Sequence, residues 1–501
     1  MPKQPNILFV LTDQQRWDTV HAAGNPYIRT PVMDRLCHEG VNFTKGYTPS
    51  PVCVSARASI ITGQYPHTNG CYDNGFAQPT DRPTMMDLLG ESGYQCHGVG
   101  KMHFTGDRNG LRGFHSRDTQ EEICSSIEID DYLKFIHAEN FDYVHDVMGA
   151  RGEMYYIPQI SQLPATHHPT AWVADRSIDF LQDRDTSKPF FLWSSFIHPH
   201  PPFAPPNPWN RLYRGPSMPL PKRPTDMEDL WTHFNLQQNR YKYRDAGLDD
   251  RMLQVMRGYY WACISFIDYS VGRIIDVLEQ QGELDNTLIA WSSDHGELLG
   301  DYNCFGKRSF LDVGARVPML VRYPERFPQG VVEETPCGLT DLVPTFLGAA
   351  GADRGAAKLD GVDMAELVGA GTDRMIYGQI QQGQKGMYMA YDGNLKYIYS
   401  AGDQKEYLLD HRVDPEETRN CAYNLMYASE VKTMRDNLIG FFQEAQYNDP
   451  LDGDAWKQFD PISEPNSVDG GLIIQDSGWA TPHYELLGYT DDVKNYPGKK
   501  M

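Results

Sequence analysis

Four short apolar runs, separated by helical patterns, constrain the fold of this chain more than any other feature. They cover residues 7–11, 190–193, 287–291 and 318–321. A weaker run lies at residues 97–99, and the clearest helical pattern covers residues 252–278. Continuous apolar runs of this length are typical of parallel strands that are buried on both faces. We therefore predict an α/β fold, in which a large mixed, mostly parallel sheet is sandwiched by helices.

Polar side chains follow these runs at the points where the strands are expected to end. They are Asp13 and Gln14, Lys101 and His103, His198 and His200, and Asp294 and His295. In open α/β sheets, ligands bind beyond the carboxyl ends of the strands. The sequence therefore predicts one polar site to which four separate segments contribute.

The segment from Cys53 to Gly63 predicts a short helix that begins at a cysteine. Pro49 and Pro51 precede this segment, and Gly63 ends it. Cys53 would then lie at the helix N-terminus, where the helix dipole favours negative charge, and Arg57 would share its face. On this segment alone, a buried structural cysteine beside an arginine explains the pattern equally well.

The order of these segments resembles the sulfatase family, the formylglycine-dependent sulfatases of the alkaline-phosphatase-like superfamily. The cysteine signature of the family matches residues 53–63 except at Ser55, where the family usually has proline or alanine. The other matching segments are 5–14, 100–103, 200–203, 293–296, Lys307, 316–318, 340–345, 407–410 and 414–415. They occur in the order of the family and extend over most of the chain.

The resemblance implies a sulfuric ester hydrolase with an alkaline-phosphatase-like fold. In the family an activating enzyme, of the formylglycine-generating or the anaerobic type, converts the cysteine, here Cys53, to formylglycine. One oxygen of its hydrate attacks sulfur, and the second later expels the sulfate. By resemblance, the catalytic residues are Cys53, Arg57, Lys101, His103, His200 and Lys307, with His103 as the base of the second step; Asn74 contacts the substrate; and Asp13, Gln14, Cys53, Asp294 and His295 bind the metal.

The cofactor that the resemblance implies is one divalent metal ion. His295 stands where many family members have asparagine, and Gln14 stands where many have aspartate. These departures lower the number of carboxylate ligands and add a nitrogen ligand, which makes the site softer. We expect calcium, with manganese as the alternative.

Two other functions compete with the hydrolysis of a sulfate monoester. A phosphonate monoester or phosphodiester hydrolase of the same superfamily would share the cysteine and the metal residues, but such relatives tend to lack the pair Lys101 and His103. A catalytically inactive binding homologue would keep Cys53 unconverted. For a sulfatase the expected partner is a sulfated small molecule or carbohydrate, and aryl, sugar and choline sulfates all stay open.

The second half of the chain predicts a small additional unit. We divide the chain into a catalytic domain (1–375), a C-terminal α+β subdomain (376–450) and a tail (451–501). A hairpin turn is expected at residues 392–394 and a helix at residues 429–446. The tail has no regular period but holds Trp456, Phe459, Trp479, Tyr484 and Tyr489. We expect these aromatic side chains to pack on the main domain or on a neighbouring subunit of a homo-oligomer.

Charge and cysteine usage narrow the partners and the compartment. The formal net charge of −22 disfavours nucleic acid and anionic membranes as partners. The first apolar run is too short for a secretory leader, and no apolar segment reaches the roughly 18 residues of a membrane span. The nine cysteines are scattered without a C-x-x-C pair, as is typical of a reducing compartment. We therefore expect a cytoplasmic protein.

Overall fold

The structure is a computed structural model that describes residues 4–123, 126–151, 155–243, 249–355, 357–371 and 373–462. Most of the predicted tail, with Trp479, Tyr484 and Tyr489, lies outside the described residues. No helix in the described part of the chain combines the length and the apolar character that crossing a membrane requires. The eight cysteines that the structure describes are free and buried.

An eight-stranded sheet forms the centre of the molecule, in the order β5-β4-β6-β1-β7-β8-β2-β9. Its strands are β1 (Asn6–Asp13), β2 (Val41–Phe43), β4 (Gln95–Gly100), β5 (Ser116–Thr119), β6 (Phe190–Pro199), β7 (Thr287–Ser293), β8 (Met319–Arg322) and β9 (Val331–Glu333). Five neighbouring pairs in this sheet are parallel: β5 with β4, β4 with β6, β6 with β1, β1 with β7, and β2 with β9. The pair of β7 with β8 is antiparallel. The predicted mixed, mostly parallel sheet is confirmed.

Helices cover both faces of this sheet. The helices are α1 (Pro31–Glu39), α2 (Cys53–Thr62), α3 (Pro66–Asn69), α4 (Met85–Glu91), α5 (Asp131–Ala138), α6 (Pro169–Asp183), α7 (His233–Tyr243), α8 (Asp250–Gln280), α9 (Asp312–Ala315), α10 (Leu342–Ala350) and α11 (Ala428–Glu444). Because side chains alternate along a strand, Leu8 and Val10 join the core beneath α1, α6 and α8, whereas Phe9 and Leu11 join the core beneath α2, α4 and α10.

The direction of β8 differs from the prediction. Its apolar run was expected to form a parallel strand, but β8 runs antiparallel to both β7 and β2. Ser292 near the end of β7 pairs with Met319 at the start of β8. The intervening loop therefore stays at the carboxyl edge of the sheet, and the chain re-enters the sheet from that edge. An apolar run reports the burial of a strand but not its direction.

A second, four-stranded antiparallel sheet follows in the order β11-β12-β13-β14. Its strands are β11 (Ile376–Ile380), β12 (Met387–Tyr391), β13 (Leu395–Ser400) and β14 (Lys405–Asp410). The turn predicted at residues 392–394 joins β12 to β13, and Gly393 adopts a φ of 94° there. Helix α11 packs on this sheet, so the predicted α+β character of the C-terminal region is confirmed.

Short strand pairs complete the structure. They are β3 (Gly46–Tyr47) with β10 (Cys337–Gly338), and β15 (Leu451–Asp452) with β16 (Ala455–Trp456). Trp456 stacks on Tyr399 with ring centroids 4.5 Å apart, and its indole N–H donates to the Tyr397 hydroxyl at 2.9 Å. The described beginning of the tail therefore packs on the four-stranded sheet.

A buried lysine joins the four-stranded sheet to α9. Lys396 of β13 pairs with Asp312 of α9 and, at 2.6 Å, with Glu417. The Tyr47 hydroxyl donates to Asp312 at 2.6 Å, and His411 Nε2 lies 2.9 Å from Glu417. Lys396 is the buried cation that the two carboxylates share, and Arg316 adds a second ion pair to Asp312 at 3.1 Å. Through α9 this network also supports the loop between β7 and β8.

Replacing this lysine by a neutral side chain of similar length tests its role. Lys396→Met removes the one buried cation that Asp312 and Glu417 share, which costs about 3–5 kcal/mol of unfolding free energy. The measurement is urea unfolding or, if unfolding is irreversible, the thermal midpoint at one scan rate. Lys432→Met is the matched control, because the Lys432 side chain is 72% exposed in its pair with Asp436. Equal, small changes in the two variants would contradict the role of Lys396.

Candidate active site

The ends of β1 and β7 bring four potential metal ligands together. Asp13 ends β1, and Asp294 and His295 directly follow β7. With Cys53, they place one ligand atom each within 4.8 Å of one another, and all four residues are buried. As predicted, the cluster lies at the carboxyl edge of the sheet, because β1 and β7 are adjacent and parallel.

Cys53 is the first residue of α2, as the sequence predicts. Its Sγ lies 2.9 Å from Lys307 Nζ, 3.1 Å from His295 Nε2 and 3.8 Å from Asp13 Oδ1. Burial, with the nearby Asp13, raises the pKa of the Cys53 thiol to about 12. The unmodified side chain is therefore a neutral thiol and a weak nucleophile.

Arg57 lies one helical turn after Cys53 and is fully buried. Its Nε is 3.0 Å from Asp294 Oδ2, and its Nη2 is 3.5 Å from Asp13 Oδ2. Its Nη1 donates to the Lys101 carbonyl and, at 3.0 Å, to Ser195 Oγ. One guanidinium thus joins α2 to the ends of β1, β4, β6 and β7.

The two buried carboxylates of the cluster differ in their acidity. Burial alone would raise the pKa of Asp13. The charges of Lys101 and the other nearby cations outweigh this effect and hold the pKa well below its usual range. Burial and the charge of Asp13 raise the pKa of Asp294 to about 6. Two carboxylates this close repel each other, so a divalent cation between them would be stabilised by both.

His295 is oriented as a metal ligand requires. Its Nδ1 lies 3.0 Å from the Gly296 carbonyl oxygen, which can only accept a hydrogen bond. The ring proton therefore lies on Nδ1, and the lone pair of Nε2 points toward Cys53 and the carboxylates. Burial lowers the pKa of His295 well below its usual value, which keeps the ring neutral. This donor set of carboxylate oxygens and one imidazole nitrogen fits a divalent metal ion.

The position of Lys101 depends on the preceding Gly100, which no other residue could replace. Gly100 ends β4 with a φ of 86°, and a Cβ at this position would lie 2.1 Å from the Ser195 carbonyl oxygen. The close approach directs Lys101 into the site, where its Nζ lies 2.5 Å from Asp13 Oδ2. Lys101 is fully buried and charged, because its carboxylate neighbours oppose the effect of burial on its pKa.

The two histidines assigned to catalysis follow the neighbouring strands β4 and β6. The His103 backbone N–H donates to Glu121 at 3.0 Å, and its buried Nδ1 has no hydrogen-bond partner among the described residues. Burial and the charge of Lys101 lower the pKa of His103 to about 3, so the ring is neutral. His200 follows β6, and its Nε2 lies 3.3 Å from the Tyr155 hydroxyl.

Gln14 and Lys307 complete the cluster. Gln14 Oε1 accepts a hydrogen bond from Lys307 Nζ at 3.0 Å. The Gln14 side-chain amide also donates to Glu297, a buried carboxylate that accepts from the Tyr156 hydroxyl at 2.6 Å and from the Gly306 N–H. Glu297 therefore holds the loop that carries Lys307 against Gln14.

The structure brings nearly all of the predicted site residues together. They are Asp13, Gln14, Cys53, Arg57, Lys101, His103, His200, Asp294, His295 and Lys307. Asn74 lies beside the start of α2, where its Oδ1 accepts from the Val54 N–H at 3.1 Å. His198, the other histidine of this segment, lies beside His168 with ring centroids 4.8 Å apart.

Sequence reasoning missed two carboxylates of the site. Glu297 follows Asp294 by three residues, so its closeness to the strand end was a usable signal. Glu122 lies 2.7 Å from Lys101 Nζ and 3.3 Å from His200 Nε2. No local pattern distinguishes Glu122, which reaches the site from an irregular segment after β5.

Comparison with known families identifies the class of this site. The family model "Sulfatase" matches residues 5–352, and the model "N-sulphoglucosamine sulphohydrolase, C-terminal" matches residues 300–444. An arylsulfatase of Clostridium perfringens is 30% identical over 462 residues, which cover 87% of this chain and 94% of that protein. A choline-sulfatase of Rhizobium meliloti is 29% identical and covers 84% of this chain and 83% of that protein.

Solved structures agree in fold. A phosphonate monoester hydrolase of Agrobacterium radiobacter superposes with a TM-score of 0.78 at 24% identity, over 89% of this chain and 96% of that one. This likeness shows that the two chains share one fold. Because the sulfatase model matches more than half of its length, the chain belongs to the sulfatase family and is a sulfatase enzyme.

Proposed function

We propose that the protein hydrolyses sulfate monoesters, with a formylglycine made from Cys53 as the nucleophile and one divalent metal ion as the cofactor. The observation that carries this proposal is the position of Cys53 at the helix start. There its Sγ lies among Asp13, His295 and Lys307 at 2.9–3.8 Å. A residue at this point contacts metal ligands on one side and a cation on the other.

The metal ion would be held by Asp13, Gln14, Asp294 and His295 together with residue 53. The closely spaced, buried donor atoms of this cluster support that assignment. When bound, the ion supplies positive charge that stabilises the developing negative charge of the reaction. Three oxygen-donating side chains and one imidazole are compatible with calcium, and manganese is the alternative.

Positive side chains of this chain would bind the sulfate. Lys101 and Lys307 place their ammonium groups on either side of the cluster, at 2.5 Å from Asp13 and 2.9 Å from Cys53 respectively. Arg57 is committed to the two aspartates, so it orients the nucleophile instead of contacting the sulfate. Fixed cations in a buried site stabilise a transition state without reorganisation, because they are already oriented.

Two histidines would move protons in the two halves of the reaction. His200 lies next to the cationic cluster and would donate a proton to the leaving alcohol. His103, with its neutral ring and free Nδ1, would act as the base of the second half, in which sulfate is expelled. The hydrate of formylglycine supplies the second hydroxyl that this half requires.

Position 53 offers the most direct test of maturation. Trypsin cleaves after Lys45 and Arg57, so residues 46–57 form one peptide. In active protein this peptide should be lighter than its cysteine form and reactive toward hydrazides. Cys53→Ala should lower kcat by at least about a thousandfold, because the nucleophile is lost. Fully active protein that holds only the thiol would show that the nucleophile is wrong.

Metal content is the second test. We expect one divalent ion per chain by elemental analysis, and a thermal midpoint that rises when the ion is added to metal-free protein. Asp294→Asn should abolish both the bound ion and this rise, whereas Asp285→Asn, a change at an exposed carboxylate, should affect neither. Full activity after verified removal of the metal would refute the assignment.

Substrate preference separates the sulfatase from a phosphonate monoester hydrolase. Lys101 and His103 occupy space where the second arm of a diester would lie, and His103 serves the second step that a sulfate requires. We expect kcat/KM for 4-nitrophenyl sulfate to exceed that for 4-nitrophenyl phenylphosphonate by at least about tenfold. In His103→Ala, a burst of alcohol release should precede slow turnover. Faster hydrolysis of the phosphonate would favour the rival function.

A further inference from the structure

Glu122 is a buried carboxylate in the site to which the proposed chemistry gives no role. It lies in the segment after β5, and its side chain is only 12% exposed. Its Oε2 lies 2.7 Å from Lys101 Nζ, and its Oε1 lies 2.6 Å from Arg151 Nη2 and 3.3 Å from His200 Nε2. One carboxylate therefore contacts a sulfate-binding lysine and the histidine next to the leaving group.

The other contacts of Lys101, Arg151 and His200 show which of these partners has no carboxylate other than Glu122. Lys101 already pairs with Asp13 at 2.5 Å, so its charge is compensated without Glu122. Arg151 anchors Glu122 and lies over the Tyr155 ring, 5.0 Å from its centroid. His200 has no other carboxylate within hydrogen-bond distance among the described residues. Glu122 is therefore the anionic partner of His200.

The hydrogen bonds of His200 determine what this partner does. Its Nδ1 lies 2.7 Å from the Pro201 carbonyl oxygen, which only accepts, so Nδ1 carries a proton. Nε2 then carries a proton only when the ring is an imidazolium. Burial lowers the pKa of His200 well below its usual value, and Glu122 is the strongest of the nearby charges that raise it. Because Glu122 Oε1 lies 3.3 Å from Nε2, its negative charge stabilises a proton at that atom.

We propose that Glu122 is a positioning residue that holds His200 with a proton on Nε2, from which the proton passes to the leaving-group oxygen. This inference rests on the proposed function. As the sulfur–oxygen bond to the alcohol breaks, its electron pair stays on the alcohol oxygen, which takes the proton from Nε2. The alcohol leaves neutral, and the His200 ring keeps its Nδ1 proton. The formylglycine hydroxyl whose oxygen bonds to sulfur in place of the alcohol releases its proton to solvent. Solvent then returns a proton to His200 Nε2.

The inference predicts how activity depends on the leaving group. Glu122→Gln keeps the size of the side chain but removes its charge. Its kcat/KM should fall about a hundredfold for phenyl sulfate, whose alcohol needs a proton to leave. For 2,4-dinitrophenyl sulfate, whose alcohol leaves as a stable anion, the loss should be less than about threefold, because acid catalysis is not needed. The dependence of log kcat/KM on the pKa of the alcohol should therefore become steeper.

Glu121 provides a matched control one residue away. Its carboxylate accepts from the Met102 and His103 backbone N–H groups. Glu121→Gln should therefore change kcat/KM by the same factor for every ester in the series. His200→Gln should show the same steep dependence as Glu122→Gln. The double variant should be no slower than His200→Gln alone, because Glu122 acts through His200.

Three results would overturn the inference. An unchanged dependence in Glu122→Gln would show that Glu122 does not act on the leaving group. A kcat/KM that rises equally for all esters, with a lower KM, would show that Glu122 occupies the place of the substrate anion and is displaced by it. Additive losses in the double variant would separate Glu122 from His200. If the wild-type protein hydrolyses no sulfate ester, the proposed function fails as well.

Discussion

The buried ion pairs of Arg57 are the interaction on which the site depends. Arg57 contacts Asp13, which ends β1, and Asp294, which directly follows β7, and both carboxylates are fully buried. Removing one partner of such a buried group costs about 3–5 kcal/mol, because the remaining charges lose their compensation. By holding both strand ends, Arg57 also sets the position of Cys53, one helical turn earlier. Metal ligands and nucleophile thus share one anchor.

The order of elements explains why much of this site could be predicted from the sequence. Asp13, Lys101 and Asp294 each follow an apolar run, and parallel neighbouring strands end at the same edge. Once the strands are recognised, these side chains must meet. The helix that starts at Cys53 could be predicted because its prolines and Gly63 are local signals. The direction of β8 could not, because it depends on the path of the loop between β7 and β8.

Other features depend on contacts between distant parts of the chain. Glu122 reaches Lys101 and His200 from an irregular segment, and Lys396 reaches Asp312 from another sheet. Asn74 caps α2 from a loop, so its amide supports the helix start. None of these side chains has a periodicity or a neighbouring motif that reports its partner. Only the folded chain shows which carboxylate compensates which cation.

A crystal structure of the purified, matured protein with its metal ion and a bound sulfate ion tests the central claim most directly. We expect one ion bound by Asp13, Gln14, Asp294 and His295, with an oxygen of residue 53 completing the ligand set. The sulfate should lie between residue 53 and the ammonium groups of Lys101 and Lys307. A fully active preparation whose crystals show an unmodified thiol at residue 53, or a sulfate bound away from it, would contradict the account.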